Sequence, residues 1–186
     1  LEPSGGTGNF FGLVPEERRG AKLYGVELND ISARIADKLY PSATIVGTGF
    51  EKTNFPDNFF DVAVGNVPFG DYKVYDQDYN RHNLFIQDYF IAKSIDKVRA
   101  GGVVALVTSN GVSGGTFDKR DSTARRYMAE RCDLLGSIRL PDNTIKAAAG
   151  TDMKPDILFL QKREVPRDPS ADMPDLWGVS VVHEHQ

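Results

Sequence analysis

Apolar residues along the chain fall into short runs separated by polar, glycine- or proline-bearing turns, and their period switches between two and about four. Ala21 to Leu28 is enriched enough in apolar residues for a strand, and Asp30 then caps a helix whose Ile31, Ile35 and Leu39 recur every fourth position, ending before Pro41. Ala43 to Val46 reads as a third short strand, and Phe60 to Val64 as a buried one that Gly65 stops. Asn83 is placed to cap a helix over Leu84 to Arg99, with Phe85, Ile86, Tyr89, Phe90, Ile91, Ala92 and Ile95 covering a broad face that packs on a sheet. Ala100-Gly101-Gly102 ends it, and Val103 to Val107 is the continuous apolar run of a parallel strand buried on both faces. Leu134 to Leu140, stopped by Pro141, and Asp156 to Gln161 complete the strands. Weak helical signals between those two predict an antiparallel hairpin.

This alternation predicts an α/β fold with a doubly wound, mostly parallel sheet and an antiparallel hairpin strand at its C-terminal end. Residues 1–162 account for the sheet. Beyond Lys162, Pro166, Pro169 and Pro174 mark a linker, and Trp177 to Val182 reads as a strand of a following segment, so residues 163–186 are set apart. The first strand is expected to be largely missing, because the chain opens at Leu1 on a turn that should follow one; it reads as a piece of a larger protein.

Candidate chemistry lies where strands end. Asn66-Val67-Pro68-Phe69 follows the central strand, at the sheet edge where open α/β folds bind ligands. An Asn side-chain carbonyl and a backbone carbonyl held outward by a proline can accept two hydrogen bonds from one amino group, and an adjacent aromatic ring can stack on the flat system that carries it. A plain tight turn, with Asn66 bonding its own backbone and Phe69 in the core, uses the same residues, and both readings are open at this point.

Leu1-Glu2-Pro3-Ser4-Gly5-Gly6-Thr7-Gly8-Asn9-Phe10-Phe11 is a glycine-rich turn suited to close backbone approach to a ligand. About 20 residues on, Glu27 ends the next strand, beside Leu28, at the spacing where an acidic side chain accepts from both ribose hydroxyls of a nucleotide. Phe50, at the third strand's end, suits either an adenine cover or core packing.

Composition removes several classes of function. Cys132 is the only cysteine, which excludes an internal disulfide and a cysteine-rich zinc site and fits a reducing cytoplasm. His82, His183 and His185 lack a ligand pattern, so no metal is expected, and no apolar stretch reaches membrane-spanning length. The net charge of −4 rules out coating nucleic acid by bulk charge, so any DNA contact must be local. Two polar loops offer it. Asp71 to His82 interleaves Lys73 and Arg81 with tyrosines, and Ser109 to Arg120 ends in Lys119-Arg120, after which Arg125, Arg126 and Arg131 continue the positive character along a helix.

The order of these features resembles the class I methyltransferases, and specifically the amino-group DNA adenine methylases of restriction-modification type. Glu2 to Phe10 is similar to their cofactor motif, and Asn66-Val67-Pro68-Phe69 to their catalytic Asn-Pro-Pro-Phe. Gly65 to Tyr72 and Ile138-Arg139-Leu140-Pro141 further resemble the methylase segment of large helicase-methylase proteins of phages and bacterial mobile elements. The likeness runs over about residues 1 to 162.

This resemblance implies methyl transfer from S-adenosylmethionine to the exocyclic amine of an adenine flipped from duplex DNA, with helicase or recognition domains fused in the parent. Asn66 and the Pro68 carbonyl would hold the amine and Phe69 would stack on the base. Gly5, Gly6 and Gly8 would face the methionine part of the cofactor, with Glu2, Pro3, Leu28 and Asn66 in its site, Glu27 at its ribose and Phe50 at its adenine. Val67 departs from the family's first proline and is expected to loosen the turn, and Gly49 stands where many relatives carry an Asp. Three other readings share part of the pattern: a protein glutamine methyltransferase, a nicotinamide dehydrogenase, which leaves the Asn66 turn unexplained, and a catalytically degenerate methylase fold acting as a DNA-binding module.

Overall fold

The structure, a computed structural model, describes residues 1–109, 123–141 and 155–168. Its strands are β1 (Tyr24–Val26), β2 (Thr44–Val46), β3 (Phe60–Asn66), β4 (Val98–Ser109), β5 (Cys132–Arg139) and β6 (Pro155–Lys162), and its helices α1 (Asp30–Leu39), α2 (Ile86–Lys97) and α3 (Thr123–Arg131). β1 pairs parallel with β2, and β3 parallel with β4. β6 lies between β4 and β5 and is antiparallel to both, so the predicted reversal at the C-terminal end of the sheet is present.

Leu1 and Glu2 join the two halves. Leu1 donates its terminal N–H to the Val62 carbonyl and accepts from Val64 N–H, while Glu2 exchanges backbone bonds of 2.8 and 2.9 Å with Tyr24 and Val26. The opening residues therefore occupy the central strand position between β1 and β3. The strand ends carrying Glu2, Glu27 and Asn66 are thereby made neighbours at one edge.

The core lies between the sheet and α2. Ile86, Tyr89, Ile91 and Ile95 of α2 are buried together with Val104, Leu106, Leu158 and Leu160 of the central strands. Val103, Ala105 and Val107 on the other face of β4 are only half-buried, so the continuous apolar run is fully covered on one face.

Several expected boundaries shift for local reasons. α1 is capped by Asn29, whose Oδ1 accepts from Ser32 N–H at 3.0 Å, with Asp30 as the first helical residue. Its Ile31, Ile35 and Leu39 stripe faces outward, with Ile31 67% exposed, because the helix packs through the small residues Ala33 and Ala36. Asn83 takes a left-handed φ of 54° at the end of a short 3₁₀ turn, and α2 starts only at Ile86. The Ala100-Gly101-Gly102 stretch lies inside β4 rather than between helix and strand. There the register jumps from Phe60 opposite Val98 to Val62 opposite Val103, with Gly101 at φ 74°. β3 runs through Gly65, which pairs with Leu106, and ends at Asn66.

Candidate active site

Three neighbouring strand ends frame a cleft of about 450 Å³ lined by Glu2, Ser4, Gly5, Gly6, Asn9, Phe10, Glu27 and the whole Asn66-Val67-Pro68-Phe69 turn. One wall is the glycine turn. Gly5 N–H donates to the Val26 carbonyl at 2.8 Å, and Gly6 adopts φ 54°, a conformation that costs a side-chain-bearing residue energy. These two steps bring the Gly6 N–H within 2.8 Å of Glu27 Oε2, while Glu27 Oε1 accepts from Asn29 N–H at 2.7 Å. The Glu27 carboxylate thus bridges the turn and the start of α1 while facing the cleft.

Glu2 is the unusual member. It is 1% exposed, and its Oε2 has no hydrogen-bond partner among the described residues. Burial pushes its carboxyl up to about 7, with the nearby Glu27 charge acting in the same direction and a bond from Phe10 N–H opposing both. Gly5 and Gly65 pack against it: a Cβ on either would lie at ordinary contact distance, 3.6 Å from its Cδ or 3.4 Å from its Cγ. A buried acceptor without a donor, at the edge of a cleft, is a position suited to an incoming cation or N–H group.

The opposite wall is the turn after β3. Asn66 is exposed at the strand's end, and Pro68 and Phe69 are half-buried at the rim. Val67 corrects the expectation of a loosened turn. Its side chain is 1% exposed in the core, and its N–H donates to the Val107 carbonyl at 3.1 Å, extending the β3–β4 pairing by one bond that a proline has no hydrogen to make. Ser4 Oγ donates to the Asn66 carbonyl at 2.7 Å, so the two walls are joined directly.

Of the other residues singled out by sequence, several stand elsewhere. Phe50 is core: it is 1% exposed and packs against Tyr89 and Phe90, away from the cleft lining. Gly8 is needed because φ is 85° and a Cβ would come within 2.6 Å of the Tyr40 ring; it does not line the cleft. Pro3 is buried beneath the turn, and Leu28 is exposed beside it. Beside Gly49, the Glu51 carboxylate fills the space a Cβ would take.

Among the cations, Arg125 is 1% exposed and so is removed from any surface contact, whereas Arg126, Lys73 and Arg81 are exposed. Lys73 Nζ donates to Asn83 Oδ1 at 2.6 Å, and Arg81 Nε to the His82 ring at 3.1 Å. Lys119 and Arg120 lie outside the described residues. Sequence reasoning assigned no role to Ser4, Asn9 or Phe10, although all three sit within the glycine motif. Among the described residues no helix is long and apolar enough to cross a membrane, and no cluster of His, Cys, Asp and Glu is grouped to hold a metal ion.

Defense against restriction protein B of Escherichia phage P1 is 30% identical over 189 residues, covering 99% of this chain, which spans 8% of that protein's length. The M protein of the type I restriction enzyme EcoKI superposes with a TM-score of 0.63 at 19% identity, over 90% of this chain and 41% of its own. A Listeria monocytogenes chain assigned to the class I S-adenosylmethionine-dependent methyltransferases superposes with a TM-score of 0.67 at 19% identity, over 89% and 53% respectively. The family profile of the N-6 DNA methylases matches residues 15–173, and on that match the chain belongs to the N-6 DNA methylase family.

Proposed function

We propose that residues 1–162 are the cofactor-binding and methyl-transfer unit of a DNA adenine methylase, with residues 163–186 leading into the rest of a longer parent protein. The observation that carries this reading is the convergence of the glycine turn and the Asn66-Val67-Pro68-Phe69 turn on one cleft, joined by the Ser4–Asn66 bond.

The residues present fit S-adenosylmethionine. Glu2 Oε2 is a buried acceptor in want of a donor, suited to the ammonium of an amino acid, and Glu27 is a carboxylate at a strand end within reach of ribose hydroxyls. Glycines at positions 5 and 6 keep that wall free of side chains, so a ligand can approach the backbone. When bound, the cofactor supplies an electrophilic methyl group on its sulfonium.

The chain's part is to present a nucleophile to it. Asn66 Oδ1 and the Pro68 carbonyl accept the two hydrogens of an exocyclic amine, fixing its direction and drawing its N–H bonds toward oxygen, while Phe69 stacks on the ring. Such a target must leave the duplex, because an atom inside the base stack is unreachable. Exposed Lys73, Arg81 and Arg126 serve as local phosphate contacts in a domain whose net charge of −4 gives no general attraction to DNA. Helicase or further recognition domains of the parent would supply the remaining hold on the duplex.

The test is methylation by the intact protein. DNA from cells expressing it should contain N6-methyladenine by mass spectrometry, and Asn66→Ala should abolish that signal while cofactor affinity measured by calorimetry stays nearly unchanged. Equal methylation by Asn66→Ala and wild type removes the residue from catalysis, and methyl incorporation into protein glutamine instead of DNA replaces the substrate.

A further inference from the structure

Outside the cleft lining lies a buried charge cluster that the methyl-transfer reading does not use. Lys93, in the middle of α2, is 3% exposed, and its Nζ donates to Asp76 Oδ2 at 2.9 Å and to the Phe50 carbonyl at 2.8 Å. The ammonium also sits 5.0 Å from the centre of the Phe50 ring, 5.8 Å from that of Tyr89 and 6.0 Å from that of Tyr79. Asp76 is equally enclosed, receiving Tyr89 Oη at 2.6 Å and the Asp78 N–H at 3.2 Å. Burial alone would push the Asp76 carboxyl up; the bonds from Lys93 and Tyr89 outweigh it and hold the carboxyl below its ordinary value.

The three partners come from different places. Phe50 follows β2, Asp76 lies in the loop that leaves the Asn66–Phe69 turn, and Lys93 belongs to the helix under both. Burying an ion pair is a poor route to stability, since apolar residues of the same volume often serve as well. An apolar pair, however, cannot hold a carbonyl of one segment and a carboxylate of another at fixed distances. The polar loop from Asp71 to His82 is tied down from inside, and Tyr79 Oη on Asp96 Oδ2 at 2.7 Å adds a second tie.

We propose that Lys93 and Asp76 are positioning residues: a strut that fixes the loop following the Asn66–Phe69 turn relative to the segment after β2, and so sets the geometry in which the amine meets the methyl donor. This rests on the methyl-transfer reading. Reacting groups tolerate little displacement, a shift of about 1 Å costing on the order of 10²-fold in rate. The strut therefore acts on turnover rather than on ligand affinity.

The experiment uses the intact protein with unmethylated DNA of mixed sequence and the double variant Lys93→Met with Asp76→Asn, which removes both charges at nearly constant volume. The expected result is a fall in kcat of at least about tenfold, with cofactor affinity and the KM for DNA each within about threefold of wild type. A double variant with wild-type kcat overturns the strut, as does one in which cofactor affinity falls in step with kcat, the mark of general unfolding. Should the double variant not fold, Tyr89→Phe decides: it removes one donor to Asp76 and leaves the ring, and an unchanged kcat overturns the proposal. A wild-type protein that transfers no methyl group overturns the functional reading instead, whereas an active wild type with an equally active variant overturns the strut alone.

Discussion

Ser4 Oγ donates to the backbone carbonyl of Asn66 across 2.7 Å, so the turn that would hold the cofactor and the turn that would hold the amine share a hydrogen bond. Ser4→Ala breaks that link without touching either turn's own hydrogen bonds. A bond of this kind contributes about 0.5–1.5 kcal/mol. Were all of it expressed in the orientation of Asn66, the single-turnover methylation rate should drop by about two- to twelvefold. Cofactor affinity should move less, because Ser4 is assigned to the link and not to the ligand. Calorimetry alongside single-turnover kinetics separates the two effects.

On the proposed reading Glu27 would have a structural and a ligand-binding duty, and its substitutions should divide them. Its carboxylate accepts from Gly6 N–H and Asn29 N–H while facing the cleft. Glu27→Ala should weaken cofactor binding by roughly 1.5–3 kcal/mol, the size of a lost charge-assisted bond. Glu27→Gln keeps an oxygen for only one of the two backbone donors and should fall between alanine and wild type. A cofactor affinity unchanged in Glu27→Ala would remove the residue from the ribose position.

The sequence showed these elements with uneven clarity, for physical reasons. Strands came through as short apolar runs followed closely by polar residues, as at Val26-Glu27 and Val64-Gly65-Asn66, although β3 passes through Gly65 instead of stopping there. The antiparallel β6 was legible from the weak helical signal before Pro155. The orientation of α1 was not: four-residue spacing marks a helix but cannot tell which side meets the sheet, and here alanines do. Phe50, at a strand end, left a ligand cover and core packing both open, and its ring turns inward onto Phe90 and Lys93. Nor could Lys93 and Asp76, 17 positions apart, be paired from sequence, since each alone resembles a solvated charge.

Val67 should resist replacement by the proline of the more usual Asn-Pro-Pro-Phe turn. Proline has no N–H for the Val107 carbonyl, and the buried valine side chain would be exchanged for a smaller ring of fixed shape. Val67→Pro is expected to lower stability by about 1–3 kcal/mol. Urea denaturation of the two proteins checks the size. Equal or greater stability in the proline variant would show that the bond to Val107 contributes nothing.

A ligand ammonium held at Glu2 would make binding pH-dependent in a definite direction. The Glu2 carboxyl is raised from 4.5 to about 7 by burial, so near neutrality a sizeable share of the unliganded protein carries it protonated. An ammonium at Oε2 favours the ionised form, so binding at a pH near 7 should expel a proton and affinity should rise as pH increases through that value. Stability of the unliganded protein runs the other way. A raised carboxyl pKa means that the folded state holds its proton more tightly than the unfolded one, so Glu2's contribution is complete below 4.5 and is lost as pH rises through about 7. Glu2→Gln, uncharged throughout, should be more stable than wild type at about pH 8 and should bind S-adenosylmethionine more weakly there. Calorimetric titrations in buffers of differing ionisation enthalpy report the proton directly. Binding heats that do not depend on the buffer at pH 7, with an affinity in Glu2→Gln equal to wild type, would place the ligand's ammonium somewhere other than at Glu2.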